Sequence, residues 1–189
     1  MNTPVFRNLV LNKKTAVLSL IIVFVACSPY LFKVFTVRKH PPETKLTQEE
    51  SICEAVYRYQ FENNVSGQRK NAKIYFLSLG PLEKPRDPSN ELISRFRDHK
   101  PPVKKVSQCT FSPTEGVRDK NTGEQGLIFG ITKVKWISAT NVEVEGGYYE
   151  AGLSSSGNIY LVVLKNNKWV VVADRMLWIS QLLCDVTIV

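Results

Sequence analysis

The chain has 189 residues, 43% hydrophobic and 22% charged, with 10 Gly, 10 Pro and a formal net charge of +8. That length allows one domain with an appendage or two very small domains, and three Trp, seven Tyr and nine Phe exclude disorder of the whole chain. The basic excess is local: up to Leu46 seven Lys and Arg stand against Glu43 alone, whereas the remainder carries 18 basic and 16 acidic residues. Such placement suits attraction to anionic lipid headgroups and disfavours nucleic acid as a partner.

Residues 1–14 read as a short N-terminal tail, and residues 15–37 as a transmembrane or signal-anchor segment. From Ala16 to Phe32 there are 17 residues without a charge, Leu20, Ile22 and Phe24 among them, and Val34 and Phe35 resume the apolar character beyond Lys33. A helix needs about 20 apolar residues to cross a bilayer core, and flanking Lys can snorkel. Two rival readings stand beside this one. In a lipoprotein signal, Phe24-Val25-Ala26-Cys27 resembles a bacterial lipobox and Cys27 is the candidate lipidation site; in a cleaved secretory signal, Ala26 and Ser28 are the small residues. All three put the rest of the chain at or beyond a membrane. The preferred arrangement is a single-pass anchor with the soluble domain on the extracytoplasmic side.

After a juxtamembrane linker at 38–46, residues 47–180 read as one α+β domain, followed by a C-terminal tail at 181–189. Thr47-Gln48-Glu49-Glu50 matches a capping box, and Ile52, Ala55, Val56 and Tyr59 then repeat at helical spacing until Asn63-Asn64-Val65-Ser66-Gly67. Lys73 to Leu79 predicts a buried strand, and Gly80 to Arg86 a Pro-containing loop. Asp87-Pro88 supplies an N-cap and first-turn proline for a second helix, which must end before Pro101-Pro102. Val103 to Phe111 predicts another strand and Ser112 to Gln125 a polar loop. From Gly126 to Ser180 the pattern becomes β: four antiparallel strands, with a bulge near Gly130 and a two-residue turn at Asn166-Asn167.

Helices first and a long meander afterwards predict a curved antiparallel sheet with helices packed on one face. Over roughly Thr47 to Ser180 that element order resembles the cone of the nuclear transport factor 2-like (NTF2-like, cystatin-like) superfamily. The segments Asp87-Pro88-Ser89-Asn90-Glu91, Pro101 to Cys109 and Glu145-Gly146-Gly147-Tyr148-Tyr149 also resemble uncharacterised bacterial membrane-anchored proteins. The superfold hosts isomerases, dehydratases, secretion-system subunits and binding modules, so the resemblance implies a cupped apolar pocket but no single activity.

In such a cone His99, Tyr148, Asp174 and Trp136 are the candidate pocket residues. The four cysteines form no CxxC and no zinc spacing with His40 or His99, so neither metal nor cofactor is expected. Cys53 and Cys109 are the candidate disulfide, with small buried thiols as the competing reading; Cys184 is left over. With no acid/base set assembled, the expected function is a membrane-anchored, non-catalytic interaction module or assembly subunit. Its expected partners are membrane lipid and a protein partner or a second copy. The alternative is a small-ligand-binding or weakly enzymatic cone.

Overall fold

The computed structural model describes residues 45–152 and 154–180, with side chains from residue 47 onward. Among them no helix is long and apolar enough to cross a membrane. The segment 15–37, with Ala16, Leu20, Ile22, Phe24, Cys27 and Phe32, lies outside the described residues, as does the tail 181–189 with Cys184.

The first element is α1 (Lys45–Asn63). It begins two residues ahead of the expected cap, so Thr47 lies inside the helix, where its carbonyl accepts from Ser51 Oγ at 2.9 Å. Glu50, expected in the capping box, instead reaches Arg95 at 3.4 Å. Ile52, Val56, Tyr57 and Phe61 form the buried face of α1. Full burial of each such side chain is worth about 1.5–3 kcal/mol, so tertiary packing holds this helix in place.

The strand β1 (Ile74–Leu79) follows, then the five-residue helix α2 (Asn90–Ser94). Its cap is Ser89, whose hydroxyl accepts from the Leu92 amide at 3.0 Å, and not Asp87. The Asp87 carboxylate is taken by Ser107, from the backbone N at 2.9 Å and from Oγ at 2.7 Å. The strand expected over Val103 to Phe111 is cut by a 3-10 turn, Val106–Gln108, into β2 (Val103–Lys105) and β3 (Cys109–Ser112). Inside the expected loop lies β4 (Gly116–Asp119), which pairs with β3. The meander is β5 (Gln125–Ser138), β6 (Asn141–Ala151), β7 (Ser154–Lys165) and β8 (Lys168–Ser180).

The expected fold, a curved antiparallel sheet with helices packed on one face, is corrected. The eight strands form one mixed sheet, β2-β1-β5-β6-β7-β8, with β3 and β4 attached through β5. Within it β1 runs parallel to both β2 and β5. Only α1 is a helix of more than two turns among the described residues. The physical reason is visible in β1, whose IYFLSL run is buried along nearly all of its length. Strands covered on both faces suit parallel pairing, and β1 feeds two cores. Tyr75 and Leu77 join the α1 side with Leu127, Phe129, Val142 and Val144; Ile74 and Phe76 join Val106, Cys109, Val117 and Ile128 in the second cluster.

Candidate functional site

Two of the four candidate pocket residues meet. Tyr148 and Asp174 line one cavity of about 80 Å3 between the C-terminal half of α1 and strands β6 to β8. The Asp174 carboxylate accepts from Tyr59 Oη at 2.7 Å and from Asn158 Nδ2 at 2.9 Å. The bond to Asp174 is the main reason the Tyr59 phenol is held above its ordinary pKa. Tyr160 packs edge-on to Tyr59, with centroids 5.8 Å apart, and burial pushes its phenol up to about 12, partly offset by the Gln60 amide beside it. Tyr148 is 6% exposed and is raised by burial too.

Gln60 completes this wall. It is 2% exposed, and its Nε2 donates to the Gly130 carbonyl at 3.2 Å, while Oε1 has no hydrogen-bond partner. Tyr59, Gln60, Asn158 and Tyr160 are absent from the sequence-predicted set. By spacing, Tyr59 belongs to the apolar stripe of α1, and helical periodicity carries no sign that the last two turns face polar groups on β7 and β8.

His99 and Trp136 stand apart from this cavity. The His99 ring stacks among Phe61 and Tyr75, at centroid distances of 4.7 and 5.6 Å, and its Nδ1 lies 2.7 Å from the Pro101 carbonyl. A carbonyl can only accept, so Nδ1 carries the proton in that contact. His99 lines a separate open depression whose charged rim is Arg69, Lys70, Lys100 and Glu62. Trp136 packs edge-on against Trp169 at 5.5 Å, towards the far end of β5. Neither Asp174 nor Glu150 pairs with His99: Glu150 accepts from Ser66 at 2.6 Å and Ser154 at 2.7 Å. No general-base constellation is assembled from the candidate residues. Among the described residues no group of three His, Cys, Asp or Glu side chains is placed to hold a metal ion.

Of the two readings of Cys53 and Cys109, disulfide or small buried thiols, the structure has the second. Cys53 and Cys109 are free, buried thiols. Cys53 belongs to the α1-side core and Cys109 to the second cluster, so the two lie in separate cores fed by opposite faces of β1. Of the basic residues on either side of Pro101-Pro102 (Arg95, Arg97, Lys100, Lys104 and Lys105), Arg95 pairs with Glu50 and Glu54, and Lys104 with Asp119 at 2.6 Å. Those two cations hold elements together and are not offered to a ligand.

The remaining feature is the sheet margin. β8 ends the strand order and pairs only with β7 among the described strands. Over its second half Met176, Leu177, Trp178 and Ile179 are 45%, 45%, 52% and 37% exposed. Trp178 lies against Gly157, the residue opposite it on β7, where any Cβ would collide with the indole. Two register shifts, at Gly157/Asn158 and Leu161/Val162, interrupt the β7–β8 ladder. Such bulges are one device by which edge strands limit pairing, but four consecutive exposed apolar side chains work against it.

No family model, curated protein or solved structure matches this chain.

Proposed function

We propose that this chain is a membrane-tethered, non-catalytic interaction module that receives an apolar β-strand of a partner protein along the edge of β8 that no described strand pairs. The tether is the apolar segment 15–37 with its basic flanks, and the domain stands on the extracytoplasmic side. The observation that carries the docking reading is the run Met176 to Ile179, apolar and exposed at the margin of the sheet. An edge strand supplies main-chain hydrogen bonds for affinity, and alternate side chains supply specificity. Loss of exposed apolar area on docking stabilises the complex by about 25 cal/mol per Å2 removed from water, before the cost of association.

The test is purification of the full-length protein from membranes in mild detergent, followed by native mass spectrometry. A stoichiometric complex recovered from the membrane fraction, with another chain or a second copy, supports the reading. A monomer, or a chain recovered only from the soluble fraction, contradicts it.

A further inference from the structure

Independently of docking at the β8 edge, the sheet face turned away from α1 carries a row of glycines. Gly130, Gly147 and Gly157 stand in register on β5, β6 and β7, and Trp178 continues the row on β8. Alternation puts Gly130 on the side of Ile128, which joins the second cluster, whereas Phe129 and Ile131 join the α1-side core. The three glycines leave a floor of bare peptide planes in a trough of about 300 Å3, which Leu82, Ile128, Tyr149 and Trp178 also line. Packing explains two of them: a Cβ on Gly157 would enter the Trp178 indole, and one on Gly147 the Ser156 carbonyl. Gly130 is different. A Cβ there meets no atom within 4 Å, and its φ is outside the left-handed region that favours glycine. Its pairing with Gly147 and that of Ile131 with Gly146 are in regular register, the shift falling after Ile131, so no bulge at Gly130 requires it either. Glycine weakens a strand interior, and one that neither backbone nor packing needs marks a surface that another group approaches closely.

We infer that this trough binds a neutral, planar aromatic molecule of two fused rings, stacked on the peptide planes of Gly130 and Gly147 with an edge against the Trp178 indole. The chain itself shows what the floor takes, because the Trp178 indole already lies over the third glycine of the row. The row from Gly157 to Gly130 spans two strand spacings, about 10 Å, which leaves the length of a bicyclic ring beyond the indole. A flat ring fits a floor without side chains, and aromatic rings meeting edge to face gain attraction beyond the area they bury. Charge sets the sign. The charged side chains lining the trough are Glu83 and Glu145, with no Lys, Arg or His among the described residues around it, so an anion is repelled. The volume, at the lower end of the range of about 300–1,000 Å3 for small-molecule sites, suits a ring system and is too small for a dinucleotide.

The experiment uses the full-length protein at fixed detergent concentration, labelled with 15N-tryptophan, and titrates 2-naphthol while the three Nε1–H resonances are followed. Trp136 and Trp169, which pack against each other and do not line the trough, serve as internal controls. Decahydro-2-naphthol is the puckered probe of the same skeleton, and 2-naphthoate the anionic one. The expected result is a saturable shift of Trp178 alone with 2-naphthol, and affinities at least tenfold weaker for the other two probes. Gly130→Val fills the floor where the protein leaves open space, and Val suits a strand, so the variant should keep its fold by circular dichroism and lose at least tenfold in 2-naphthol affinity. No saturable shift at Trp178, equal affinity for either control probe, or unchanged affinity in folded Gly130→Val would each overturn the inference. The three probes compared on the unmodified protein decide the matter even if the variant does not fold.

Discussion

At the scale of single residues, Asp119 is the side chain on which most local structure converges. Its carboxylate is fully buried and accepts from Lys104 Nζ at 2.6 Å and from the backbone of Asn121 and Thr122 at 2.9 and 3.0 Å, closing the turn between β4 and β5. The Lys104 bond is the largest reason its pKa is lowered from 3.8 to about 2. A group depressed in the folded state contributes stability above its unfolded pKa and loses it as pH falls through the folded value. Asp119→Asn should therefore cost about 2–3 kcal/mol at neutral pH. Urea denaturation at several pH values should show that difference intact above about pH 4 and vanishing towards pH 2. The two thiols give a second prediction: burial is the main cause that pushes Cys53 and Cys109 both up to about 12. The thiolate is the nucleophile, so both should resist iodoacetamide at pH 8 in the native protein. Peptide mass spectrometry should find both alkylated after denaturation without reductant. Cysteine spacing leaves pairing and burial equally open; which core each thiol enters depends on the two-faced burial of β1. Asp119 is hidden in the sequence for a similar reason. The Asn121-Thr122-Gly123 turn is readable, but its tie to Lys104 is a tertiary contact.

At the scale of elements, the β7–β8 hairpin follows from local chemistry. Asn166 and Asn167 take φ of 49° and 61°, the left-handed region that a two-residue hairpin turn requires and Asn tolerates. Glycine at the second position removes the remaining steric penalty. Asn167→Gly should thus stabilise the domain by about 0.5 kcal/mol and raise Tm by about 1–3 °C in a thermal scan, whereas Asn167→Val should lower it. The same local logic locates α1, β1 and all four meander strands. It fails where pairing is remote. β1 meets β2 across the α2 region and β5 across the β3–β4 hairpin, and a strand's side-chain period does not encode the direction of its neighbours. The continuous apolar run of β1 is the available hint of parallel pairing, and it reads equally well as any buried strand. Gly147 shows the other limit. A Cβ there would collide with the Ser156 carbonyl of the neighbouring strand, a close approach that Gly146-Gly147 announces without naming the partner.

At the scale of the whole molecule, an apolar N-terminal segment precedes a sheet whose last strand has no second neighbour among the described strands. The α1-side core is filled by residues such as Ile52, Leu77, Phe129 and Val162, and the cavity beside Asp174 is small, about 80 Å3. Of the eight exposed large apolar side chains among the described residues, four consecutive ones, Met176 to Ile179, lie in the second half of β8. An interaction module is expected from the sequence, yet nothing there singles out Met176 to Ile179, since an apolar strand looks the same whether buried or marginal. The proposed docking at β8 is tested most directly by native mass spectrometry of the full-length protein extracted from membranes, beside the double variant Leu177→Lys, Ile179→Lys. Both residues are exposed, so the substitutions should leave the fold intact. The predicted result is a stoichiometric complex for the unmodified chain and a folded, membrane-retained monomer for the variant. A variant that keeps its partner, or an unmodified chain that has none, would contradict it.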